Sequence, residues 1–216
     1  MNELDLKEVW NEYQVKIDSS MEMHKKNEYD ISKLKSQNLI NSMKPITIFA
    51  ILIGLIWVIS IGTIAVNLML YHFQTVSKFF LFSMIGQLII TIIAIAIYLF
   101  KMIGIHNVDF SEPILTSQKK LAQLLSSTLW VTRILFLQLP LWTTFYLSIH
   151  MLKNAHPILL IVQAIGTLSF SFIAAWLFFN IKMENKDKKW FKLIFGGKEW
   201  NPILKSMQML EDIKKY

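Results

Sequence analysis

Residues 45–71 read PITIFAILIGLIWVISIGTIAVNLMLY, and this stretch decides the fold class. It holds no Asp, Glu, Lys or Arg. A helix needs about 20 apolar residues to cross the hydrocarbon core of a bilayer, at about 1.5 Å of rise per residue. Three further stretches meet that length. Residues 79–100 carry no charge, residues 129–152 carry only Arg133, and residues 157–181 carry none. Backbone in lipid must satisfy its own hydrogen bonds, which leaves helices and closed barrels. These runs are too uniformly apolar to alternate inward and outward as barrel strands do. The sequence predicts an all-α integral membrane protein with four transmembrane helices.

Composition points the same way. Of 216 residues, 54% are hydrophobic and 17% are charged, whereas a soluble domain is usually about a quarter charged. With Gly 7, Pro 5 and Cys 0, collagen-like, disordered and disulfide-stapled classes fall. The missing cysteine also removes thiol catalysis, thiolate metal sites and iron–sulfur clusters.

The connections set the pairing. Residues 72–78 and 153–156 are links short enough to force antiparallel neighbours. The expected architecture is a four-helix bundle of two hairpins, 45–100 and 129–181. Three polar segments flank them: 1–44, 101–128 and 182–216. These hold seven, three and nine Lys, against one in each short link. By the positive-inside rule both termini and the middle segment are expected in the cytoplasm. The mixed-charge segment 1–44 does not resemble a cleaved signal peptide, so the first span reads as an uncleaved anchor.

The halves show faint identity. Ser36-Gln37 recurs as Ser117-Gln118, and Lys101-Met102 as Lys182-Met183. Ile85-Gly86 and Leu88 recur as Ile165-Gly166 and Leu168. A parallel duplication about an axis along the membrane normal is one reading; coincidence in an apolar-biased alphabet is the other.

Segment 1–44 carries a helical seam: Leu6, Trp10, Tyr13, Ile17, Ser20, His24, Asn27, Ile31, Leu34 and Asn38. The steps alternate four and three, which is coiled-coil spacing, with apolar ends and a polar middle. Two readings stand. Leu6, Trp10, Tyr13 and Ile17 bury against a partner, or the face packs on the protein's own cytoplasmic helices. The middle segment restarts as a helix near Pro113, with Ser111 or Glu112 as cap and Leu115, Gln118, Leu121, Ala122 and Leu125 as its inward face. In the tail, Lys188, Lys189, Trp190 and Lys192 mix cations with aromatics just past a span, the pattern of a segment lying on an anionic lipid surface. Asn201-Pro202 starts a last helix with Ile203, Met207, Leu210 and Ile213 on one face, the natural internal partner for the first. The excess of the +7 net charge is concentrated in this tail, with nine Lys against five acids, where the positive-inside rule accounts for it, so nucleic acid is not an expected partner.

Chemistry is sparse. No His sits in a metal-ligand pattern such as His-Glu-x-x-His. His72, His150 and His156 lie near the outer ends of the hairpins, as wet-interface imidazoles or as a weak metal or pH-sensing group. No Asp or Glu lies in any span, which weighs against a proton- or cation-coupled carrier. Arg133 reads as snorkelling to lipid phosphates or as an anion contact. Asn67, Gln87, Gln138 and Gln163 are the uncharged polar residues within the spans, able to hydrogen-bond between helices. Gln87 and Gln163 sit at matching depth. Gly54, Gly62, Gly86 and Gly166 offer close helix approach. Pro140 should kink the third span, for packing or for gating. No catalytic residue, cofactor or metal is expected.

The opening Leu4-Asp5-Leu6-Lys7-Glu8-Val9-Trp10, Lys44-Pro45 at the first span, Asp109-Phe110-Ser111-Glu112-Pro113-Ile114-Leu115 with Gln118-Lys119, and the Trp190-to-Gly197 stretch resemble small four-helix inner-membrane proteins of Bacteroidota. That family carries no assigned function, so no functional residues transfer. The resemblance implies a bacterial inner-membrane location. It also implies a link to regulation, because similar Asp-Leu-Lys-x-x-Trp helices occur in proteins encoded beside sigma factors.

The resulting expectation is a non-enzymatic, membrane-anchored interaction module that holds a cytoplasmic regulatory protein through its N-terminal helix. The alternative is a small-solute transporter or channel component. Lipid-exposed faces with small residues admit a homodimer.

Overall fold

The computed structural model describes residues 3–108, 112, 114–196 and 201–214. Every regular element among them is helical: α1 (Glu3–Asn41), α2 (Lys44–Tyr71), α3 (Lys78–Asn107), α4 (Ile114–Phe136), α5 (Leu139–Thr144), α6 (Ile149–Asn154), α7 (Pro157–Asn180), a 3₁₀ turn (Met183–Asn185), α8 (Lys189–Phe195) and α9 (Asn201–Lys214). Four helical stretches are long and apolar enough to cross a membrane.

α1 passes into α2 almost without interruption. Ser42 N–H still bonds Asn38 O at 3.0 Å, and Thr47 N–H bonds Met43 O at 3.0 Å. Pro45 has no N–H to offer the Asn41 carbonyl and its ring crowds it, so the ladder resets there. Pro45 then sits in the first turn of α2, where a missing N–H costs nothing.

Three boundaries differ from the sequence reading. The second stretch does not stop at residue 100; α3 runs on to Asn107 and carries Lys101 inside it at 1% exposure. A lone Lys is a good helix former and does not end a helix. The third span is displaced: it runs Leu115–Thr144 in place of 129–152, and it is interrupted at residues 137–138, just before Pro140. α4 begins at Ile114 and closes at Phe136 with Leu137 N–H to Ile134 O and Gln138 N–H to Leu135 O, both 3.1 Å. Pro140 leaves the Phe136 carbonyl without its i+4 donor, so the chain breaks and restarts as α5. Finally, the link to α7 is longer than 153–156, because the chain leaves α5 after Thr144 and forms α6 first. Ser148 caps α6 by accepting from Met151 N–H at 3.1 Å.

α3 is the central helix. It packs on α2 along one side and on α4 and α5 along another, while α7 packs on α4 and α5. Close approach is set by two glycines. A Cβ on Gly54 would stand 2.9 Å from Ile95 Cγ1, and one on Gly86 would stand 3.0 Å from Leu141 Cδ1. Gly62 and Gly166 face nothing within 4 Å, so they do not mark helix crossings among the described residues. Only 6% of the most apolar window of α2 and of α7 is buried, against 22% in α3 and 28% in α4–α5. The outer helices therefore bury few of their side chains fully.

The main buried cluster lies at the end of the long helices that carries α1, α8 and α9, called here the basal end. Ile40 and Met43 (before α2), Ile105, Leu121, Leu124, Ile181, Phe191, Phe195 and Ile203 meet there. The buried stripe of α4 is Ser117, Leu121, Leu124, Leu125 and Thr128, which rotates the expected face: Leu115 is 76% exposed and Ala122 is exposed. Small Ser117 at 1% exposure, rather than Leu115, is what the crowded junction admits. Ser111 and Pro113 lie outside the described residues. Glu112 pairs with Lys120 at 2.7 Å.

Candidate functional site

α1 is 39 residues long, about 58 Å at 1.5 Å per residue. Only its last turns are covered. α9 lies against it, with Ser206 Oγ 3.3 Å from Ser36 O and Ser36 Oγ 3.6 Å from Met209 Sδ. Ser36, Ile40 and Ser206 are each 0% exposed.

Helical register decides what this leaves open. With Trp10, Ile17, His24, Ile31 and Asn38 at a and Tyr13, Ser20, Asn27 and Leu34 at d, Ser36 falls at f and Ile40 at c. α9 thus covers the side opposite the seam. Along the seam Trp10 is 69% exposed, Tyr13 63%, Ile17 53%, Ile31 50% and Leu34 66%. The expectation that this face packs on the protein's own helices is overturned: the last helix is indeed the internal partner of α1, but on the other side. The reason is size, since two serines let α9 approach closely where the bulky seam would not. Leu6 lies on α1, its side chain outside the described residues.

Of the expected α9 face, Ile203 is buried with Pro202 and Ser206. The side chains of Met207, Leu210 and Ile213 lie outside the described residues. Asn201 starts the helix and its Nδ2 bonds Gly196 O at 3.4 Å.

α8 is amphipathic across its short length. Phe191 and Phe195 stack at 4.4 Å and point inward, and Trp190 meets Trp176 of α7 edge-on at 4.9 Å. Lys188, Lys189 and Lys192 stand on the open side beside Leu193, which is 87% exposed.

The polar residues of the spans separate into distinct roles. Arg133 donates from Nε to Ile181 O at 2.6 Å, with its guanidinium 5.0 Å from the Trp130 ring. It caps the C-terminus of α7, where a cation also complements the helix dipole. Gln138 Nε2 donates to Thr91 Oγ1 at 2.9 Å, and Thr91 donates on to Gln87 O at 2.8 Å. Gln163 Nε2 donates to Thr143 O at 2.7 Å and accepts from the Tyr146 hydroxyl. Gln87 and Gln163 do not bond each other; they serve different neighbours. Gln87 is 2% exposed and its Nε2 has no partner among the described residues. Asn67 is exposed on α2, in a shallow groove with Gly62, Thr63 and Val66.

A set of hydroxyls that the sequence reading missed completes the picture. Ser83 and Thr144 hydroxyls are 2.9 Å apart, and Ser77 donates to Leu147 O. The break at residues 137–147 is therefore clamped by Ser77 at the start of α3, by Ser83 and Thr91 on α3, and by Gln163 on α7. Ser83, Gln87 and Thr91 are spaced by four residues on an otherwise apolar helix, which was the available signal.

Among the described residues no three His, Asp or Glu side chains group as a metal would require, and His72, His150 and His156 form no such set. The arrangement offers binding surfaces and helix–helix clamps. No family model, curated protein or solved structure matches the chain.

Proposed function

We propose that this chain is a non-enzymatic, membrane-anchored interaction module. Two helical hairpins, α2–α3 and α4–α7, sit in a bacterial inner membrane with both termini in the cytoplasm, and α1 presents its seam to a cytoplasmic regulatory partner. The lysine asymmetry supports that orientation, and the cationic side of α8 fits an anionic lipid surface. One observation carries the reading: Trp10, Tyr13 and Ile17 stand exposed on a stretch of α1 that no other described element covers, since α9 meets the helix only near Ser36. Exposed aromatic anchors on a helix are the usual material of groove or coiled-coil recognition.

The test is affinity purification of the full chain in mild detergent, wild type against a Trp10→Ala, Tyr13→Ala, Ile17→Ala variant. A protein retained by the wild type and lost from the variant is expected. An unchanged set of bound proteins overturns the reading.

A second reading, a small-solute channel or transporter component, draws on the clamped break at residues 137–147 and on the buried Gln87 amide. Discontinuous helices with polar clamps line pathways in such proteins. Liposome flux abolished by Gln87→Leu would favour it, and absence of flux for every solute tried would sink it.

A further inference from the structure

We propose that the seam of α1 is occupied by the same seam of a second copy, so that two α1 helices form a parallel two-stranded coiled coil over residues 6–38. This rests on the reading of α1 as an exposed interaction helix, and it places a second copy on the seam in place of a cytoplasmic protein.

Four observations carry it. First, the seam is open from Trp10 to Asn38 and α9 lies at the c and f positions, so a second α1 can approach without displacing α9. Second, the seam chemistry is that of a parallel pair. Ile17 and Ile31 stand at a, and Leu6 and Leu34 at d, the arrangement that favours two strands.

Third, the polar middle suits a copy of itself. Ser20, His24, Asn27 and Asn38 each carry a donor and an acceptor. In an in-register pair each faces its twin and can bond it. An apolar groove would leave them buried without partners, at a cost of about 1–3 kcal/mol each.

Fourth, the flanking charges agree. In a parallel pair, residue g of one helix meets residue e of the next heptad on the other. Asp30 then meets Lys35, twice by symmetry, while Lys16 meets Met21 and Met23 meets Glu28. No like charges face each other between residues 16 and 35. Met21 and Met23, 56% and 65% exposed, widen the apolar strip where the seam itself turns polar. Anchoring supplies direction and register: α1 enters α2 across Ser42 and Met43, so two copies in one bilayer present α1 pointing the same way at the same height.

The chain has no cysteine, so single introduced thiols give a clean readout. In full-length protein in native membranes, Ile17→Cys and Ile31→Cys are oxidised beside Val15→Cys and Glu22→Cys, which sit at exposed f positions. A disulfide forms only where Cα atoms come within about 7 Å. A dimer band at positions 17 and 31, lost at 15 and 22, is the expected result. Equal bands at all four positions, or none, overturn the proposal. A photo-crosslinker at position 13 separates its failure from that of the underlying reading. An adduct with a different polypeptide and no self-adduct leaves α1 a docking helix and removes the second copy. No adduct of either kind removes both.

Discussion

The Nε of Arg133 and the carbonyl of Ile181, 2.6 Å apart, tie the last turn of α4 to the C-terminal end of α7. Ile181 is 0% exposed and belongs to the basal cluster, so its carbonyl has little access to water. The bond therefore fastens α7 at the point where the chain turns into α8, and the Trp130 ring covers the guanidinium.

Replacing Arg133 with Ala should leave the Ile181 carbonyl unpaired and loosen that corner. A hydrogen bond to a charged group contributes about 1.5–3 kcal/mol. A lower melting temperature in detergent is expected, with earlier protease cleavage between α7 and α8. Arg133→Lys should recover little, since a compact ammonium cannot reproduce the Nε geometry under Trp130. Unchanged melting for both variants would refute the cap.

Gly54 and Gly62 lie two turns apart on α2 but should respond oppositely. A Cβ on Gly54 meets Ile95 Cγ1 at 2.9 Å, whereas one on Gly62 meets nothing within 4 Å. Gly54→Leu should drive α2 away from α3 and cost about 1–3 kcal/mol or more. Gly62→Ala and Gly166→Ala should be neutral or slightly stabilising in a helix. Thermal denaturation of the three variants checks the contrast, and equal losses at residues 54 and 62 would contradict the crossing.

Much of the fold is legible because hydropathy is a long-range average. The four apolar stretches, the link at 72–78 and the start at Asn201-Pro202 need only composition and caps. What fails is local or relational. Phe136 and Pro140 decide the break in the third stretch, but whether a Pro kinks or breaks a helix depends on which neighbours hold the interrupted segment, here Ser83 through Thr144, Thr91 through Gln138 and Gln163 through the Thr143 carbonyl. The seam of α1 is plain in the sequence, yet whether it is covered depends on where α9 finds room. That choice rests on Ser36 and Ser206, small residues that carry no signal alone.

Those two serines yield a prediction of their own. Both are 0% exposed, at a crossing where backbone and hydroxyl meet at 3.3 Å. Ser206→Leu should overpack the crossing and lift α9 from α1, costing about 1–3 kcal/mol. Limited proteolysis should then cut the tail first, while the apolar helices stay resistant. Ser206→Ala should keep the contact, because the volume is nearly conserved. A Leu variant with wild-type protection would show that α9 does not depend on this contact.

Pro140 offers the last test, because it separates cause from consequence at the break. If the missing N–H opens the helix, Pro140→Ala lets residue 140 donate to the Phe136 carbonyl and join α4 to α5. A continuous helix would rotate Gln138 and Thr144 relative to α3, and the contacts to Thr91 and Ser83 could not both persist. Hydrogen exchange should slow at residues 137–141 and quicken at 144–148. Replacing Gln138 with Leu should do the reverse, removing one clamp while leaving the break in place. Were exchange around the break unchanged by Pro140→Ala, the clamps from α3 and α7 would be its cause and the proline merely tolerated there.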